Sequence, residues 1–156
     1  MGSEDNNKAF ARRLFEEAFS KGNFAVVDEV VASNYTGSDP TVPGGIHGPA
    51  GLKQFMSSYR SAFPDLQFTI NEMLATGETV VARWTGTGTH LGLYNGIPPT
   101  GNKGSVTGIS VMHFANGKLA EDFVNWDTIG LMRQLGLIPE ATPATATQSA
   151  QAQSPH

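Results

Sequence analysis

The chain has no cysteine among its 156 residues, which excludes a disulfide framework, a thiolate nucleophile and a sulfur-ligated metal, and suits a reducing cytoplasm. Histidine is scarce too. The four histidines form no His-x-x-x-His or His-Glu-x-x-His spacing, and there is no carboxylate-rich calcium loop, so neither a metal nor another cofactor is expected. A Gly-x-Ser-x-Gly elbow is missing, because Ser110 stands in Gly108-Ile109-Ser110-Val111-Met112, within a strand pattern. Positive charge is not clustered, and the net charge is -4, which argues against nucleic acid or an anionic membrane as partner. No apolar run reaches membrane-spanning length, and the polar, acidic start MGSEDNNKAF is no signal peptide. A cytoplasmic protein with a small-molecule partner is the expectation.

What is present is a run of helical patterns followed by a run of strands. Phe10, Leu14, Phe15, Ala18 and Phe19 form an apolar stripe between about Asp5 and Lys21, and Gly22 ends it. Asn23 opens a second helix through Val26, Val27, Val30 and Val31, closed by Ser33-Asn34. The segment Tyr35 to Gly48, with His47 in it, reads as an exposed loop rich in Gly, Pro, Ser and Asp. Pro49 starts a third helix to about Ala62, with Leu52, Phe55, Met56, Tyr59 and Phe63 on one side. Strands follow over Leu66 to Ala75 and Thr79 to His90, turned by Gly77-Glu78, and Leu91 to Lys103 is a long loop suited to covering a pocket mouth. Helices first and antiparallel strands after indicate an α+β domain over residues 1–139. Residues 140–156, almost wholly Ala, Thr, Pro, Gln and Ser, are expected to be a disordered tail.

The stretch from Gly104 to Pro139 combines a β-hairpin with a short helix, and Asp127 lies at their junction. In the second arm Leu119, Glu121, Phe123 and Asn125 alternate with Ala120, Asp122, Val124 and Trp126. A two-residue Asn116-Gly117 loop would set His113 and Asp127 on opposite faces, whereas a three-residue Ala115-Asn116-Gly117 loop would set them on one face. The residues permit either. Asp127 or Thr128 caps the helix, Gly136 stops it and Pro139 prevents continuation. With nucleophile and metal sites disfavoured, the remaining chemistry is acid–base work by a carboxylate and an imidazole in an apolar pocket.

The order of segments resembles the SnoaL-like polyketide cyclases and predicted ester cyclases, within the superfamily of ketosteroid isomerase and nuclear transport factor two. The resemblance rests on Phe15-Glu16-Glu17 through Lys21-Gly22-Asn23, Gly48-Pro49-Ala50-Gly51-Leu52, Ala62-Phe63-Pro64-Asp65-Leu66, Arg83-Trp84 with Gly88-Thr89-His90, Gly96-Ile97-Pro98-Pro99-Thr100-Gly101, Gly117-Lys118, and Trp126-Asp127 through Gln134-Leu135-Gly136. It runs from about Asn6 to Pro139. It implies a cone-shaped α+β barrel, with N-terminal helices packed on a curved, mostly antiparallel sheet and a short C-terminal helix. It also implies a cofactor-independent cyclase acting by intramolecular aldol-type chemistry, with Asp127 as acid/base and His113 in the same pocket. Trp84, His90, Asn125, Phe55, Tyr59 and Phe123 are the expected contacts to a small hydrophobic carbonyl substrate. Asn125 stands where some of these cyclases carry a histidine, and Thr36-Gly37-Ser38-Asp39 where many relatives have another. The same fold supports isomerases, dehydratases, an epoxide hydrolase built on Arg83, Asp127 and Asn125, and ligand-binding or dimerisation modules. A homodimer or higher homo-oligomer is expected, the open face of the sheet offering the surface.

Overall fold

Amphipathic helical stripes and alternating strands need a common core, and here they find it by layering helices on one face of a sheet. The computed structural model describes residues 2–139; the expected tail from residue 140 lies outside them. Helix α1 (Ser3–Arg13) runs on as a π-helical segment (Leu14–Phe19), followed by α2 (Ala25–Val30), β1 (Val31–Ser38), β2 (Ile46–His47) and α3 (Gly48–Ala62). Strands β3 (Gln67–Thr76), β4 (Thr79–Thr89), β5 (Lys103–Ala115) and β6 (Lys118–Trp126) precede α4 (Thr128–Gln134). The core gathers Leu14, Phe15, Val27, Met56, Trp84, Met112, Phe114 and Leu131 between the layers.

The α+β class holds, but the barrel and the curved sheet do not. The six strands lie in the order β2-β1-β6-β5-β4-β3, leaving β2 and β3 as unpaired edges. The sheet is neither closed nor strongly curled. Closure would require one edge to continue the hydrogen-bond ladder of the other. Edge β2 is only Ile46–His47, too short to do so.

A second difference concerns β1. Its sequence, VASNYTGS, carries the Ser, Asn and Gly that read as a helix end and a loop. It is a strand because it pairs parallel to β6, with Gly37 opposite Asp122 and Ser38 opposite Phe123. Partner context overrides weak strand propensity there.

The hairpin resolves its register in a way neither loop length anticipated. Asn116 and Gly117 both have positive φ, 52° and 76°, as a two-residue turn of the primed type requires, and Ala115 pairs with Lys118. A bulge then intervenes: Phe114 pairs with Leu119, but His113 pairs with Glu121. The extra residue, Ala120, restores the phase that the short turn removed. His113 and Asp127 therefore share a face.

That face is the one turned away from the helices. Along β5, Gly104, Gly108, Ser110, Met112 and Phe114 are buried beneath the helical layer, while Ser105, Thr107 and Ile109 point outward and are exposed. Two tryptophans fill the helical side at Gly108, where an added Cβ would stand 2.3 Å from Trp84 Cζ2 and 2.8 Å from Trp126 Cβ. Replacing Gly108 by alanine is expected to destabilise the fold by about 1–3 kcal/mol, the usual cost of overpacking rigid rings. A midpoint in urea equal to that of the native chain would show that the rings have room to shift.

Candidate functional site

Between the sheet and the helices lies an apolar cavity that opens to solvent. About 690 Å³ is free of atoms when its mouth is counted, of which about 100 Å³ admits a water-sized body. The π-helical segment contributes Phe15 and Phe19, α3 contributes Phe55 and Tyr59, and β4 and β6 contribute Trp84 and Trp126. Aromatic rings at 4.6–6.5 Å centroid separations hold this wall together, including Phe19–Phe68, Phe55–Tyr59 and Phe19–Tyr59.

Among the described residues, one charged side chain lines this cavity: Asp39, just beyond the end of β1, itself 8% exposed. Its Oδ1 accepts hydrogen bonds from the Thr41 amide (2.8 Å) and the Thr41 hydroxyl (2.6 Å), and its Oδ2 accepts from Trp126 Nε1 (3.1 Å). The carboxylate is thus fixed in orientation and loses little freedom when a substrate arrives. Thr41 Oγ1 also lies 2.9 Å from Tyr59 Oη, which lies 3.2 Å from Tyr94 Oη on the loop between β4 and β5. Burial raises the pKa of Tyr59 and Tyr94, so both phenols remain protonated donors.

A second carboxyl stands nearby. Asp122 pairs across the sheet with Gly37 of β1 and Met112 of β5, on the helical side. Its Oδ1 is buried with no hydrogen-bond partner among the described residues. Burial pushes its pKa up to about 7, and the charge of Asp39 adds to the rise. The Tyr35 phenol folds over Gly37, whose missing Cβ leaves the space. It too is held neutral, by burial first and then by Asp122 and Asp39.

Of the residues expected to form the site, Phe55, Tyr59 and Trp84 line the cavity. His90 is fully buried beside Phe63 and Tyr94 but is not on the cavity wall. Its Nδ1 accepts from the Thr100 amide at 3.2 Å, so the ring proton of the neutral form sits on Nε2, which has no partner among the described residues. It ties the base of the covering loop. His113, Phe123 and Asn125 lie on the opposite face: the His113 ring meets Phe123 at 5.8 Å and its Nδ1 lies 3.1 Å from Thr79 Oγ1. Phe123 is 44% exposed and no part of the cavity wall. Arg83 pairs with Glu72 at 3.3 Å on the surface, so a buried Arg83–Asp127 pair does not form.

Asp127 is the N-cap of α4, its Oδ1 accepting from the Gly130 amide at 2.8 Å. Its backbone amide donates to Thr107 O, and its side chain is exposed and off the cavity. Asp127 and His113 share the outer face, away from the cavity: the alternation of β5 points His113 outward, and the bulge at Ala120 brings Asp127 to the same side. Replacing Asp127 by alanine is expected to cost about 1 kcal/mol as a lost cap and to leave turnover near the native level. Denaturant midpoints and initial rates on the same preparation check both halves.

Comparison with known proteins decides the family. The model of the SnoaL-like polyketide cyclases matches residues 9–135. The chain belongs to the SnoaL-like polyketide cyclase family. This SnoaL-like cyclase is 32% identical, over 123 residues, to nogalonic acid methyl ester cyclase of Streptomyces nogalater, a match covering 76% of this chain and 90% of that one. Among solved structures, TsrD from Streptomyces laurentii superposes with a TM-score of 0.77 at 26% identity, covering 86% of this chain and 97% of its own. A candidate polyketide cyclase from Acidithiobacillus ferrooxidans does so with a TM-score of 0.77 at 32% identity, covering 87% and 98%. The protein is an enzyme of this cyclase type.

Among the described residues of the cyclase, no group of three or more His, Asp or Glu side chains is placed to hold a metal ion, and no helix is long and apolar enough to cross a membrane. Sequence reasoning missed Asp39, Thr41, Tyr94 and Asp122. For Asp122 a signal existed, since the β6 alternation sets it on the same side as Val124 and Trp126. For Asp39 the signal was indirect: the resemblance puts a histidine of many relatives at Thr36-Gly37-Ser38-Asp39, but the segment itself looks like a surface loop.

Proposed function

We propose that this cyclase closes a ring in a small hydrophobic carbonyl compound by intramolecular aldol-type addition, with Asp39 as the base. The observation that carries the reading is, among the described residues, a single pre-oriented carboxylate on the wall of a mostly apolar cavity. Asp39 takes a proton from a carbon flanked by carbonyls, leaving an enolate. The enolate carbon attacks a second carbonyl of the same molecule; a carbon–carbon bond forms, and the electron pair of that carbonyl becomes an alkoxide. The alkoxide then regains the proton first taken, so no external reactant is consumed. Aromatic walls fold the chain of the substrate so that its reacting carbons meet, which supplies much of the rate advantage of an intramolecular step. Asp122 holds its proton up to about pH 7 and keeps a second negative charge away from Asp39.

The test uses activated β-keto esters in heavy water, following deuterium uptake at the acidic carbon by NMR and ring formation by mass spectrometry. Uptake above the buffer rate that vanishes with Asp39→Asn supports the reading. Uptake lost with Asp127→Asn and kept with Asp39→Asn would move the chemistry to the outer face.

A further inference from the structure

An aldol closure separates its two proton transfers in space: the proton leaves one carbon, and the alkoxide that needs it arises at another. Among the described residues the cavity has one carboxylate on its wall, so the proton must travel. The hydroxyl groups beside Asp39 provide a path whose direction follows from counting hydrogens. Thr41 has one hydroxyl hydrogen and gives it to Asp39 Oδ1 at 2.6 Å. In the 2.9 Å contact with Tyr59 it must therefore accept, and Tyr59 donates. Tyr59, its hydrogen thus used, accepts from Tyr94 at 3.2 Å. Every hydroxyl in the chain points its hydrogen toward the carboxylate. Of the three, Tyr59 lies on the cavity wall.

Resting on the reading of Asp39 as base, we infer that Thr41 and Tyr59 form a relay that returns the abstracted proton to the alkoxide, with Tyr94 holding Tyr59 in line. Once Asp39 is protonated, it no longer needs the Thr41 hydrogen and can donate its own. The carboxylic acid gives its proton to Thr41 Oγ1, Thr41 gives its hydrogen to Tyr59 Oη, and Tyr59 gives its hydrogen to the alkoxide. One O–H bond breaks and one forms at each oxygen of the relay. The net change is Asp39 returned to carboxylate and alkoxide converted to alcohol. Neither phenol ionises at rest, because burial disfavours phenolate; each passes a proton only as it receives one.

Tyr94 belongs to the segment between β4 and β5, and that segment is anchored at both ends. The amides of Leu91 and Gly92 donate to Ala62 O, the His90 amide donates to Asn102 O, and the Gly101 amide donates to His90 O. Its ring packs on Tyr59 and Phe63, at 5.5 Å in both cases. The phenol of Tyr94 is thus a positioning group, set by the loop, for the hydroxyl of a residue on the cavity wall.

The test separates the two half-reactions with methyl 3,7-dioxooctanoate, whose acidic C2 can add to its C7 carbonyl to give a six-membered ring. Deuterium uptake at C2 reads the first half, and ring formation reads the whole. Thr41→Val and Tyr59→Phe are expected to slow closure by about tenfold to a hundredfold more than they slow uptake. Thr41→Ser should restore closure, and Tyr94→Phe should give an intermediate loss. Closure at the native rate in Thr41→Val and Tyr59→Phe overturns the relay, as does a parallel fall of uptake and closure. If the native enzyme gives no uptake, the reading of Asp39 fails, and 4-nitrophenol then judges the hydroxyls alone. A Tyr59 donor facing the cavity moves the ionisation of the bound phenol to lower pH, and Tyr59→Phe reverses the move; no displacement in the native protein overturns the donor role.

Discussion

Asp39→Asn is expected to lower ring closure by about 10²- to 10⁴-fold, the range in which a positioned base acts. The amide cannot take a proton from carbon, yet it nearly matches the shape of the carboxylate. Its oxygen can still accept from the Thr41 amide and hydroxyl, so the turn after β1 should survive. Its nitrogen would face Trp126 Nε1, two donors where an acceptor stood at 3.1 Å, and this conflict costs about 1–3 kcal/mol. Adding Trp126→Phe removes one donor and should recover part of that stability. Closure should remain low in the double variant, which separates lost chemistry from lost folding. Recovery of closure along with stability would take the base role away from Asp39.

The second large effect is on stability and concerns Asp122. Its folded value of about 7 stands above the ordinary value of 3.8. Between those limits the folded protein holds a proton that the unfolded chain releases. Stability therefore falls as pH rises from about 4 to about 7 and is level beyond, with a total of about 2–4 kcal/mol from this one group. Asp122→Asn carries no charge at any pH. Its unfolding free energy relative to the native chain should rise by that amount between pH 4 and pH 8, roughly 5–15 °C in Tm. Any fixed penalty from the unpaired amide shifts the comparison equally at every pH and leaves the trend intact. Parallel curves across this range would mean that Asp122 reaches water in the folded state.

The tests divide by face of the sheet. Changes at Asp39, Thr41 and Tyr59 should alter chemistry, and a change at Asp122 should alter the pH dependence of stability. Changes at Asp127 and His113 on the other face should alter stability alone.

Much of this protein could be read from local pattern. The helix from Pro49 to Ala62, the Gly77-Glu78 turn, the long loop before β5 and the cap–stop pair of Asp127 and Gly136 are each dictated by residues within a few positions of one another, and the structure has each of them. Phe55, Tyr59 and Trp84 announced an aromatic wall for the same reason: helical and strand periodicity fixes which residues share a side. Family membership was legible because ordered local motifs extend along most of the chain. The rest depended on contacts between distant segments. Strand β1 exists because β6 lies beside it, and its open sheet follows from the shortness of β2, a property of pairing and not of composition. One bulged residue, Ala120, decided that Asp127 would share the face of His113, and nothing in the hairpin sequence marks where a bulge must fall. Asp39 became the polar point of the cavity only when residues 87 positions apart brought it to Trp126, and Asp122 acquired its unusual proton affinity only when folding took it out of water. Periodicity and turn chemistry act between neighbours, so the sequence by itself determined the elements and the family; desolvation, register and charge proximity act across the fold, so tertiary structure alone decided the site.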